Sequence, residues 1–164
     1  MSIQTSYTMA DAALREALGK IQTYLADGIF NSGALAIGSG SKKKILIAST
    51  VYAIKSGVIF AKTTAEITLT TAANVANAKF NILVVSMTSA GVVTVSVGTE
   101  GASLAAVVIP TVPTANVVLG FVIINPTGTG GFVGGTTDLD DATVVPGAVY
   151  VNTVYPFNPN AASL

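Results

Sequence analysis

The sequence predicts a mainly β protein: an antiparallel β-sandwich or jelly-roll-like domain preceded by one N-terminal α-helix. Three observations lead there. Leu14, Leu18, Ile21 and Leu25 recur at helical spacing near the start. From Ile45 onward the apolar period falls to about two. Glycine- or proline-bearing turn signals then separate short runs, with no further helical pattern between them. The 164 residues divide accordingly into a helical arm over residues 1–30, a β domain over residues 31–155 and a tail over residues 156–164.

Thr8 is placed to cap the helix, Asp11 favours its positive end, and Ala10, Ala13 and Ala17 add helix propensity. Gly28 supplies a stop, so the helix is expected from about Met9 to Asp27, roughly 27 Å long. Its apolar stripe needs a partner, either the protein's own sheet or a bundle of equivalent helices from neighbouring subunits. Two heptads do not decide between them.

Beyond Gly28, Asn31 to Ser41 is rich in small residues and reads as a linker or a loosely paired first strand. Lys42, Lys43 and Lys44 follow, expected to be solvated near a strand edge that they guard against aggregation, with docking of an acidic partner as the sharper alternative. Ile45 to Ile54 and Val58 to Lys62 flank Lys55, Ser56 and Gly57 as a hairpin, because glycine accepts the positive φ of a tight turn. Ile67 and Leu69 alternate with Thr68 and Thr70 as a half-buried strand. Phe80 to Met87 is apolar on both faces and reads as a central strand. Val93, Val95 and Val97 alternate with Thr94 and Ser96 after a turn at Ser89, Ala90 and Gly91, which places them nearer an edge or a solvated face. Pro110 and Pro113 cannot donate to a ladder and mark an edge or a crossing. Val117 to Ile124 is a buried strand in which Gly120 signals a bulge or a close backbone approach. Ala148 to Val154 completes roughly eight short strands.

Only 10% of the residues are charged, against about 25% in an average domain, while 51% are apolar. A compact monomer of this mass exposes roughly 7,500 Å². Eight basic and eight acidic side chains leave wide uncharged tracts on such a surface, and other subunits are expected to cover part of it. Zero net charge provides no field for a polyanion, so nucleic acid is not an expected partner. All eight basic residues lie at or before Lys79 with four acids, giving +4, whereas Glu100, Asp138, Asp140 and Asp141 give the remainder −4. These halves are expected to be solvated rather than paired. Gly101 to Thr137 carries no charge, but Pro110, Pro113, Pro126 and several glycines would break a membrane-spanning helix, so no membrane partner is expected. The start lacks a basic segment followed by an apolar run; a secretory signal is not expected, and synthesis in the cytoplasm is.

Histidine, cysteine and tryptophan are absent. That removes disulfides, thiolate metal sites and the commonest general base, so no enzyme activity and no cofactor are expected. The glycines of Thr127 to Thr137 lack the lysine and hydroxyl ending of a phosphate loop and read as a long turn. Asp138, Asp140 and Asp141 offer hard oxygen ligands to calcium, without the regular donor spacing and closing glutamate of a calcium loop. The plainer expectation is that Asp138 caps a turn while Asp140 and Asp141 are solvated.

Gly98 to Val154 resembles a segment of small structural proteins of tailed bacteriophages, about a third of the chain. The spaced prolines Pro110 and Pro113, the turn INPTGTG at Ile124 to Gly130 and GGTTDLDDATVVP at Gly134 to Pro146 carry the resemblance. It implies a virion protein assembled in the bacterial host cytoplasm: a capsid decoration or cement protein, or alternatively a tail-fibre, spike or head-fibre component contacting the host surface. The implied partners are further copies of itself, with a trimer favoured, and the major capsid protein or another virion protein. Leu14, Leu18, Ile21 and Leu25, with Lys42, Lys43 and Lys44, are the candidate subunit or shell contacts.

Overall fold

The computed structural model describes residues 27–70 and 72–153. Ten strands run through them: β1 (Asp27–Ile29), β2 (Leu35–Ile37), β3 (Lys44–Ile47), β4 (Val51–Lys55), β5 (Val58–Lys62), β6 (Ala65–Thr68), β7 (Asn81–Thr88), β8 (Val93–Val97), β9 (Asn116–Ile124) and β10 (Val149–Asn152). They form three antiparallel sheets, ordered β1-β4-β5, β2-β3-β6 and β10-β9-β7-β8. The only helical turn among the described residues is a short 3-10 segment, Leu104–Ala106.

The expected helix lies outside the described residues except at its last position. Asp27 and Gly28 belong to β1, paired with Lys55 and Ile54, so Gly28 extends a strand and is not a helix stop. The β4–β5 hairpin turns where expected: Ser56 and Gly57 have φ of 49° and 79°, the two left-handed residues of a primed turn that matches strand twist. The run Ile45 to Ile54, in contrast, is two strands in two sheets. The N–H groups of Ala48 and Ser49 donate back to Ala34 O (3.4 Å) and Gly33 O (3.1 Å), and the chain then crosses to β4.

Strand β7 is central, as its two apolar faces require. Leu83, Val85 and Met87 enter the main core, while Val84 enters a smaller cluster with Val112 and Val118. Strand β9 supplies both clusters through a change of phase. Val85 pairs with Gly120 and Ser86 with Val118, leaving Leu119 as the extra residue of a bulge. The bulge brings Val117, Leu119, Val122 and Ile124 all into the main core, which plain alternation would forbid. A Cβ on Gly120 would sit 2.4 Å from Val151 O and 2.7 Å from Leu35 Cδ1, so Gly120 marks a close approach as well. Pro110 and Pro113 lie in the crossing between β8 and β9, whose Val112 and Ile109 cover the smaller cluster.

Candidate functional site

Leu14, Leu18, Ile21 and Leu25 lie outside the described residues. The lysines are described, and they do not line a sheet edge. Lys44 begins β3, the middle strand of its sheet, and Lys42 and Lys43 sit in the turn before it. Tertiary pairing with β2 and β6 decides this, since three lysines in a row do not reveal what flanks the strand. Lys42 Nζ donates to Asp140 (2.7 Å), which raises the lysine's pKa, and Lys42 O accepts the Leu139 N–H (2.9 Å). Lys44 pairs with Glu66 (3.4 Å), so two of the three charges are used within the domain. The basic and acidic halves are therefore joined at Lys42 and Asp140.

The aspartate cluster is also arranged differently from expectation. Asp141, not Asp138, caps the turn: its Oδ1 accepts from the N–H (2.8 Å) and the hydroxyl (2.7 Å) of Thr143. A cap must precede the amides that it satisfies by two or three residues, and Thr143 stands there for Asp141. Among the described residues no three carboxylates converge on a point where a metal ion could sit.

Three carboxylates lie below their usual range. Partial burial would raise Asp27, but the Lys55 ammonium (2.8 Å) and the Ser56 N–H (2.8 Å) outweigh it. The Gly40 N–H, then Lys44, lower Glu66; the Thr143 hydroxyl and N–H lower Asp141. As pH falls, the unfolded chain with its ordinary carboxylates binds protons first, so stability rises with pH through this window. The melting temperature is expected to be level from about pH 8 to about pH 5 and to fall below about pH 4. Tyr150 is pushed up to about 12 by burial, with Asp140 adding to it. An acid raised on folding ionises first in the unfolded chain, so its contribution is present below about pH 10 and lost as pH rises towards 12. Calorimetric scans across both limits check this; a melting temperature that increases on acidification overturns it.

The polar group most deeply set in a sheet is Ser86, fully buried in β7. Its Oγ lies 3.1 Å from Thr94 Oγ1 and accepts from Asn116 Nδ2 (2.9 Å). None of these groups takes a proton near neutral pH, so the cluster satisfies a buried hydroxyl and pins β8 and β9 to β7.

The feature that sequence reasoning missed is a bare apolar sheet face. In the β1-β4-β5 sheet, Val51, Ala53 and Ile29 point into the core. On the opposite side, Gly28, Ile54 and Ile59 form one row, and Phe30, Tyr52 and Ala61 the next, the Phe30 N–H donating to Tyr52 O (2.8 Å). Phe30, Tyr52 and Ile59 are 52%, 53% and 68% exposed, and no described element packs over them. The signal in the sequence is that VYAIK and VIFAK carry apolar residues on both faces of their strands. Val149 and Val151 add a smaller exposed apolar patch on β10. Among the described residues no helix is long and apolar enough to cross a membrane. Comparison with family models, curated proteins and solved structures found no match to this chain.

Proposed function

We propose that this chain is a structural, non-catalytic virion protein of a tailed phage, a capsid decoration or cement protein that binds and stabilises the head shell. The observation that carries the reading is the outward face of β1-β4-β5, where Phe30, Tyr52 and Ile59 stand in water without a charged residue between them. Stable subunit interfaces resemble a domain core cut in half, and this face has that composition. The stripe Leu14, Leu18, Ile21 and Leu25 precedes β1 in the sequence and is proposed as a further contact with neighbouring copies or the shell. The resemblance of Gly98 to Val154 supports the virion setting, and the three sheets are read as layers of a jelly-roll-like sandwich. A homotrimer on the shell, assembled in the host cytoplasm, completes the proposal.

Tyr52→Glu and Ile59→Glu test it, alongside Leu18→Glu with Ile21→Glu. Each set should keep a β-type circular dichroism spectrum while affinity for capsids stripped of the protein falls about 30-fold or more, the scale of losing an interface hot spot. Unchanged binding by both sets sinks the proposal. A tail-fibre, spike or head-fibre role is the second reading. The adjacent rings of Phe30 and Tyr52 favour it, as an aromatic surface for host sugars, and glycan titration of Phe30→Ala separates the two.

A further inference from the structure

We infer that the stripe Leu14, Leu18, Ile21 and Leu25 of one copy covers the outward face of β1-β4-β5 on the next copy, and that three copies close into a ring by this exchange. Face and stripe agree in size. Strands β1, β4 and β5 lie side by side over about 10 Å, and the five residues of β4 run about 17 Å. A helix is about 10–12 Å wide, and from Leu14 to Leu25 it would rise about 17 Å. One helix laid along β4 therefore covers Phe30, Tyr52 and Ile59 together, which are 52%, 53% and 68% exposed. Face and stripe also agree in chemistry. The outward rows, Gly28, Ile54 and Ile59 and then Phe30, Tyr52 and Ala61, carry no charge, and neither does the stripe. Arg15, Glu16 and Lys20 fall between the stripe positions, on sides of the helix that stay in water.

The place where β1 begins decides which copy supplies the stripe. β1 enters its ladder at Asp27, opposite Lys55, so a helical stripe continuous through Leu25 leaves Ala26 as the whole connection. Reversing a helix onto the sheet of the strand that follows it takes about two to six residues. The two steps from Leu25 to Asp27 reach about 7 Å at full stretch, less than the spacing of about 10 Å between packed layers. The stripe therefore runs on from the end of β1, away from its own face and toward a neighbour. A contact of stripe on face joins two different surfaces, so it is heterologous and passes from copy to copy until a ring closes. In a ring of three every stripe and every face is covered, in agreement with the homotrimer proposed above.

The exchange depends on that face being a contact surface, as proposed above, and the test uses the full chain without capsids. No native cysteine interferes. In an equimolar mixture, a short bismaleimide should join Leu18→Cys chains to Tyr52→Cys chains and give a species of about 33 kDa, twice the 16.5 kDa chain. Leu18→Cys mixed with Ser103→Cys, an exposed position outside the face, should not give it. A chain carrying both Leu18→Cys and Tyr52→Cys should end as a covalent trimer of about 50 kDa, three times the 16.5 kDa chain. Sedimentation supplies a second readout, in which Leu18→Glu and Tyr52→Glu should each weaken association about 10-fold or more. Four results overturn the inference: a link within one chain, a double-cysteine chain that ends as a dimer, Leu18→Cys chains that link to one another as a bundle of equivalent helices would, or association unchanged by either glutamate. Linked rings that fail to bind capsids support the exchange and count against the virion proposal alone, whereas capsid binding with no link between copies overturns the exchange alone.

Discussion

Replacing Phe132 by alanine is expected to lower the unfolding free energy by about 3–5 kcal/mol, a large share of what a domain this size possesses. Phe132 lies in the long connection between β9 and β10, yet its side chain is 1% exposed and belongs to the main core. Its N–H donates to Val75 O (2.8 Å) and its O accepts the Val75 N–H (3.0 Å), so the ring anchors one connecting segment to another. The glycines around it make that insertion possible. A Cβ on Gly131 would meet Val75 O at 2.8 Å, and one on Gly134 would meet Thr70 O at 2.2 Å. Urea unfolding checks the expectation, with a lower midpoint at unchanged m for Phe132→Ala and a change within about 0.5 kcal/mol for the half-exposed neighbour in Val133→Ala. Equal effects from the two would mean that the ring is no anchor.

Gly120→Ala is the second large effect, expected to cost about 2–3 kcal/mol and to lower the melting temperature by about 4–12 °C. The added methyl meets Val151 O at 2.4 Å, and a backbone oxygen held in the β9–β10 ladder cannot swing aside as a side chain can. Gly120 does not have a positive φ, so the penalty is steric and localised at the bulge. Gly130→Ala is the control, because a Cβ there meets nothing within 4 Å and its φ is not positive. A variant as stable as wild type at position 120 would show that β10 rides loosely on β9.

The strands most legible in the sequence were those whose two faces have distinct fates or whose turns need special backbone. The β4–β5 hairpin was visible in Ser56 and Gly57, the centrality of β7 in its unbroken apolar run, and the bulge in Gly120. The candidate contacts were less legible. A lysine triplet looks the same at an edge or in a middle strand, and only the ladders to β2 and β6 show that Lys44 is internal. Asp138, Asp140 and Asp141 are near neighbours in sequence, but Asp140 reaches Lys42 while Asp141 caps its own turn. VYAIK and VIFAK show apolar residues on both faces, but a buried residue and an exposed apolar one carry the same letter, so which face is left open is not legible there.

By itself the sequence determined what is local: the period of two, the turn glycines and prolines, the bulge, and a composition too poor in charge to cover a surface. Each of these follows from sterics and hydrogen bonding over a few residues. The tertiary structure decided how Ile45 to Ile54 splits between two sheets, which strands lie at edges, and which apolar faces stay in water. Those outcomes depend on pairings between residues far apart in the chain, whose energies no short window of sequence contains.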